Sequence, residues 1–82
     1  MSELVVVRRI LRDTLHLGTR ADAFTESTPL LGHLPELDSM AVVAVLTAIE
    51  EHYAIAVDDG DLSAQVFETV GSLTRFIEAR IR

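Results

Sequence analysis

The sequence contains no cysteine and no lysine. Without cysteine there is no disulfide framework and no thiolate-ligated metal site, so any thiol chemistry must come from an attached group. Without lysine, every positive charge is an arginine, and all seven arginines lie in the end segments: Arg8, Arg9, Arg12 and Arg20 at one end, Arg75, Arg80 and Arg82 at the other. No apolar run reaches the length of a membrane span, and the arginine-bearing N-terminal segment has no signal-type apolar run or cleavage site after it. No membrane span and a cytoplasmic location are therefore expected. Strand alternation, internal repeats and low-complexity tracts are also missing.

What is present is a chain of 82 residues, 49% of them apolar, which is enough for one small core and too little for two. A single domain spanning residues 1–82 is expected, and a monomer. The net charge of −6 argues against a nucleic-acid binder. From Ala21 to Thr74 the chain carries only acids, among them Glu36, Asp38, Glu50, Glu51 and Glu68. That stretch would steer basic partners toward itself.

Three helical patterns organise the chain. Leu4, Val7, Leu11, Thr14 and Leu15 form a stripe that predicts an amphipathic helix from Glu3 to about Leu15, ended by Gly18. Thr19 to Leu37 is rich in turn and breaker residues and reads as a long ordered loop, with Phe24, Leu30, Leu31 and Leu37 to pin it to the core. Ser39 to Tyr53 has neither proline nor glycine and reads as a helix with Val42, Val45, Ile49 and Tyr53 buried and Leu46 beside them. Ile55 and Val57 anchor a connector that leads into Asp58-Asp59-Gly60-Asp61. This turn lacks the ligand alternation and closing glutamate of a calcium loop, so a solvated turn and no metal are expected. Ser63 can cap a short helical piece at Ala64 to Phe67. Thr69 can cap a last helix from Val70 to about Ile81, with Val70, Leu73, Ile77 and Ile81 buried and Phe76 at the edge. Gly71 allows close approach of a neighbour. The fold class that results is all-α, a bundle of three main helices and one short one.

The segment with the most specific chemistry is Leu37-Asp38-Ser39-Met40. Asp38 suits the N-cap of the second helix, because its carboxylate can accept from a first-turn N–H and its charge suits the positive end of the dipole. Ser39 then falls in the first turn, where a phosphate ester would meet the same partial positive charge. Met40, Val43, Ala44 and Thr47 fall on a flanking face closed by Glu50 and Glu51. More core and a partner-docking strip are both open readings of that face.

The order of these elements resembles the acyl carrier proteins over nearly the whole chain. The similarity runs through the first amphipathic helix, the loop holding Leu-Gly and Leu-Asp-Ser, the helix closing in Glu-Glu-His-Tyr, the acidic turn and the final Thr-Val-Gly-Ser-Leu segment. Asp38-Ser39-Met40 is similar to the family's Asp-Ser-Leu attachment motif, with Met in place of Leu. The resemblance implies that Ser39 carries 4'-phosphopantetheine, whose thiol holds acyl groups as thioesters. The implied partners are a phosphopantetheinyl transferase drawing on coenzyme A, and acyl-loading and acyl-transferring enzymes. It also implies that the second helix is the recognition helix. Acids common soon after the family's serine are replaced here by Ala41 and Ala44, so docking is expected to lean on Met40 and Val43. The segments Thr28 to Gly32, Pro35 to Met40 and Val66 to Val70 further resemble carriers associated with bacterial exosortase systems.

An enzyme with Ser39 as nucleophile would need a base, and His52 lies about three and a half turns away on the same helix. His33 is nearer in sequence but has no oxyanion site or pocket beside it, and His16, His33 and His52 are expected at the surface. The protein itself is expected to be non-catalytic. A peptidyl carrier and a plain helical interaction module stay open as alternatives. Val45, Ile49, Leu73 and Ile77 are expected to line a place where an acyl chain inserts between helices.

Overall fold

Val7, Ile10, Leu11 and Leu15 are buried along α1 (Leu4–Leu15) in the computed structural model, which describes residues 3–57 and 64–81. The buried face is broader than the expected stripe. It takes in Ile10, while Leu4 and Thr14 are only half-buried, because α1 packs against three elements at once. These are the 3-10 helix Gly18–Ala23, α2 (Ser39–Tyr53) and α3 (Val70–Arg80).

The end of α1 comes earlier than Gly18. His16 adopts the left-handed conformation (φ 57°), and both its own N–H and that of Leu17 turn back to the Arg12 carbonyl. This closes the helix with a residue that still has a side chain. Gly18 then opens the 3-10 helix, an element expected only as loop. Its short span holds one buried side chain, Ala21, and so carries no apolar period to read.

Residues 24–38 cross the bundle and are held by their own apolar side chains, with Phe24, Leu30 and Leu37 buried. Leu31, expected as a fourth anchor, is 39% exposed. The reason is local: Leu30 and Leu31 donate successive N–H groups to Glu68 and Phe67 carbonyls, beside an isolated antiparallel bridge between Pro29 and Thr69. Just past that bridge the chain turns at residues 31–33, with the Leu30 carbonyl accepting from both His33 and Leu34, so Leu30 stays in the core while Leu31 falls on the outer side of the turn.

α2 has the expected bounds and buries Val45, Leu46 and Ile49, with Val42 and Tyr53 half-buried. The Tyr53 hydroxyl donates to Glu3 across 2.7 Å, and partial burial together with that carboxylate pushes the phenol above its usual pKa. Residues 64–67 form turns rather than the expected helical piece, and the expected cap Ser63 and the turn Asp58-Asp59-Gly60-Asp61 lie outside the described residues.

α3 buries Val70, Leu73, Thr74 and Ile77. Ile81, expected in that stripe, is the C-cap and is 39% exposed, since the core ends one turn before it. Among the described residues Thr74 is the one buried polar residue, and its hydroxyl donates to the Val70 carbonyl at 2.7 Å. No helix among the described residues is long and apolar enough to cross a membrane.

Candidate functional site

The backbone of Asp38 is extended (φ −97°, ψ −175°), which aims its side chain back over the first turn of α2. Its Oδ1 accepts from the Ala41 N–H at 2.8 Å, and its carbonyl accepts from Val42 at 2.9 Å. Those two bonds leave the N–H groups of Ser39 and Met40 without a protein partner among the described residues. Ser39 is exposed beside them, so its hydroxyl faces a concentration of partial positive charge that it does not itself neutralise.

The approach to this helix start is fixed from both sides. Buried Leu37 anchors the residue just before Asp38, and its N–H donates to Leu34 at 3.0 Å. Glu36 makes a two-pronged ion pair with Arg20 of the 3-10 helix, and the hydrogen bonds from that guanidinium hold its carboxyl below the usual range. The pair escaped sequence reasoning, because neither residue belongs to a periodic pattern and the 3-10 helix that positions Arg20 gave no signal.

The strip beside Ser39 is solvent-facing. Met40 is 77% exposed and Val43 58%, and Ala44 and Thr47 are exposed with them. The Thr47 hydroxyl is occupied by the Val43 carbonyl at 2.9 Å, which leaves its methyl group as the remaining feature it offers. Glu51 is exposed, whereas Glu50 is half-buried and its carboxylate accepts from the Val57 N–H at 2.8 Å, closing the connector after α2. Val45, Ile49, Leu73 and Ile77 are each at most 1% exposed and belong to one core cluster. α1 packs against both α2 and α3, but no Cα of α2 lies within 8 Å of a Cα of α3, so side chains alone fill the seam between those helices.

His16, His33 and His52 are all exposed, and the His52 ring meets the edge of Tyr53, at the opposite end of α2 from Ser39. Among the described residues no group of three or more His, Asp or Glu side chains is placed to hold a metal ion.

The family model described as phosphopantetheine attachment site matches residues 5–77. No curated protein matches the sequence significantly. The fold is similar to the solution NMR structure of a holo acyl carrier protein from Nitrosomonas europaea, with a TM-score of 0.89 and 56% sequence identity, over 96% of this chain and 95% of that one. The family match carries with it a covalently attached 4'-phosphopantetheine group. With the family model covering most of its length and such close agreement with a holo acyl carrier protein, this chain belongs to the acyl carrier protein family.

Proposed function

We propose that Ser39 is the attachment residue for 4'-phosphopantetheine and that the protein carries acyl groups as thioesters on that arm, presenting them to partner enzymes. The observation that carries this reading is the exposed Ser39 hydroxyl in the first turn of a helix whose two leading N–H groups are unclaimed. A phosphodiester on Ser39 fits there, because open N–H groups and the helix dipole both favour an anion. Asp38 holds the turn in shape while using only the Ala41 N–H, and Leu37 and Glu36 fix the chain that leads to it. When bound, the group supplies the thiol that a cysteine-free chain lacks.

Residues 1–82 act as one non-catalytic, monomeric carrier domain in the cytoplasm. Its partners are a phosphopantetheinyl transferase using coenzyme A, and acyl-loading and acyl-transferring enzymes. Met40, Val43, Ala44 and Thr47 form the docking strip, with Glu51 as its acidic end; their joint exposure on α2 supports this role. Glu50 contributes through charge and by holding Val57. Acyl chains lodge in the seam between α2 and α3 by parting Val45 and Ile49 from Leu73 and Ile77, a reading supported by the backbone separation of these helices. Bound chains that fill the seam stabilise the folded state, so melting temperature should rise with chain length.

The deciding experiment is intact mass before and after incubation with coenzyme A and a broad-specificity phosphopantetheinyl transferase. One phosphopantetheine added to the parent and none to Ser39→Ala is the expected result. Addition to the Ser39→Ala protein would overturn the assignment.

A further inference from the structure

Between α1 and the 3-10 helix lies an open cleft of about 250 Å³ lined by Val5, Arg8, Arg9, Arg12 and Asp22. Three arginines thus line one cleft in a protein of net charge −6. Thirteen acids against seven bases leave ample carboxylates to neutralise them internally, yet just one of the three has an ion pair among the described residues. Arg12 Nε donates to Asp13 at 3.0 Å, which leaves the terminal nitrogens of Arg12 uncommitted. Arg8 reaches the carbonyls of Asp22 and Phe24 at 3.4 Å, long contacts that hold its guanidinium against the wall without cancelling its charge. Arg9 is exposed and has no ion pair among the described residues. Counting Asp22, the lining carries three positive charges and one negative.

We propose that this cleft is a phosphate-binding site, selective for a phosphate monoester. With Asp13 paired to Arg12 the cleft keeps a net positive charge, and guanidinium forks bond phosphate oxygens in pairs, which makes arginine the residue suited to recognising a phosphate monoester. The ligand's phosphate can sit on a soluble ester or on a lipid headgroup. Val5, 42% exposed at the rim, offers the apolar contact that the carbon skeleton of either would use.

The test uses the full chain, labelled with 15N, and two probes: inorganic phosphate, and phosphatidylcholine vesicles with and without phosphatidic acid. Saturable amide shifts at Val5 to Arg12 and Asp22 are expected with phosphate, beyond those produced by chloride at equal ionic strength. The Arg9→Gln, Arg12→Gln double variant should bind about tenfold or more weakly. Asp22→Asn, which removes the opposing charge, should bind a few-fold more tightly, a gain that a purely structural role for Asp22 would not give. Cosedimentation with phosphatidic acid vesicles, without a saturable response to inorganic phosphate, assigns the ligand to a headgroup. The reverse assigns it to a soluble ester. Shifts that merely track ionic strength together with no cosedimentation, or affinity unchanged in the double variant, would overturn the proposal.

Discussion

The starts of α2 and α3 both follow a capping residue in extended backbone, Asp38 and Thr69, yet they treat their free N–H groups in opposite ways. At α3 nothing is left over. The Thr69 hydroxyl accepts from Ser72 and the Ser72 hydroxyl accepts from Thr69, both at 3.0 Å, while Val70 and Gly71 donate to the Thr28 and Glu26 carbonyls at 2.9 Å. At α2 a single side-chain bond is made, and the Ser39 and Met40 donors stay open. Burial explains the difference. Val70 and Gly71 are buried, where an unpaired donor is costly, whereas Ser39 and Met40 are exposed, where water or a ligand serves. A helix start at the surface can be kept incomplete for function; one in the core cannot.

If the contrast holds, damage at the α3 start should be felt by the whole fold and damage at the α2 start mainly by the site. Gly71→Ala should have the largest effect. An added Cβ would lie 2.7 Å from the Glu26 carbonyl oxygen, a backbone atom already bonded to the Gly71 N–H, so the segment at Glu26 and the start of α3 must move apart. About 2 kcal/mol of destabilisation is expected from the urea midpoint, even after the gain in helix propensity. Thr69→Ala should follow at about 1–2 kcal/mol by the same measurement, since it breaks a reciprocal box with buried surroundings. Asp38→Ala should lower stability by about 0.5–1 kcal/mol, less than Thr69→Ala, while slowing phosphopantetheine addition measured by intact mass. Equal losses of stability at the two caps would break the comparison.

The smallest effect is one of pH. Glu36 titrates below its ordinary value of 4.5 in the folded chain because Arg20 hydrogen-bonds it. Its contribution is therefore present above that value and lost as pH falls through the lower folded pKa. Glu36→Gln should remove this part of the acid dependence in thermal melts from pH 6 down to about 3, with the two proteins converging at the acid end.

The α2 start was legible in the sequence because three local signals agree there. An acidic cap, a serine in the first turn and a breaker-free run to Tyr53 all follow from short-range physics. The α3 start was legible in part, since Thr69 and the close approach at Gly71 were readable but Glu26, which makes that approach, was not. Nothing in the spacing of Glu26 and Gly71 announces a contact so distant along the chain. The same limit hid Arg20 with Glu36. Leu31 and Ile81 were misplaced for another reason: an apolar residue next to a buried one looks buried until a tight turn or a helix end faces it outward.

The bonds between residues 26–31 and 67–71 also have a mechanical meaning. They fasten the chain into a ring that runs from Thr28 to Val70 and contains the whole of α2. Tension applied at the two ends of the protein passes from α1 through residues 16–28, across this fastening and into α3. The loop and helix that present Ser39 lie off this path and are tied to it through the packing of α2 on α1 and the Tyr53–Glu3 hydrogen bond.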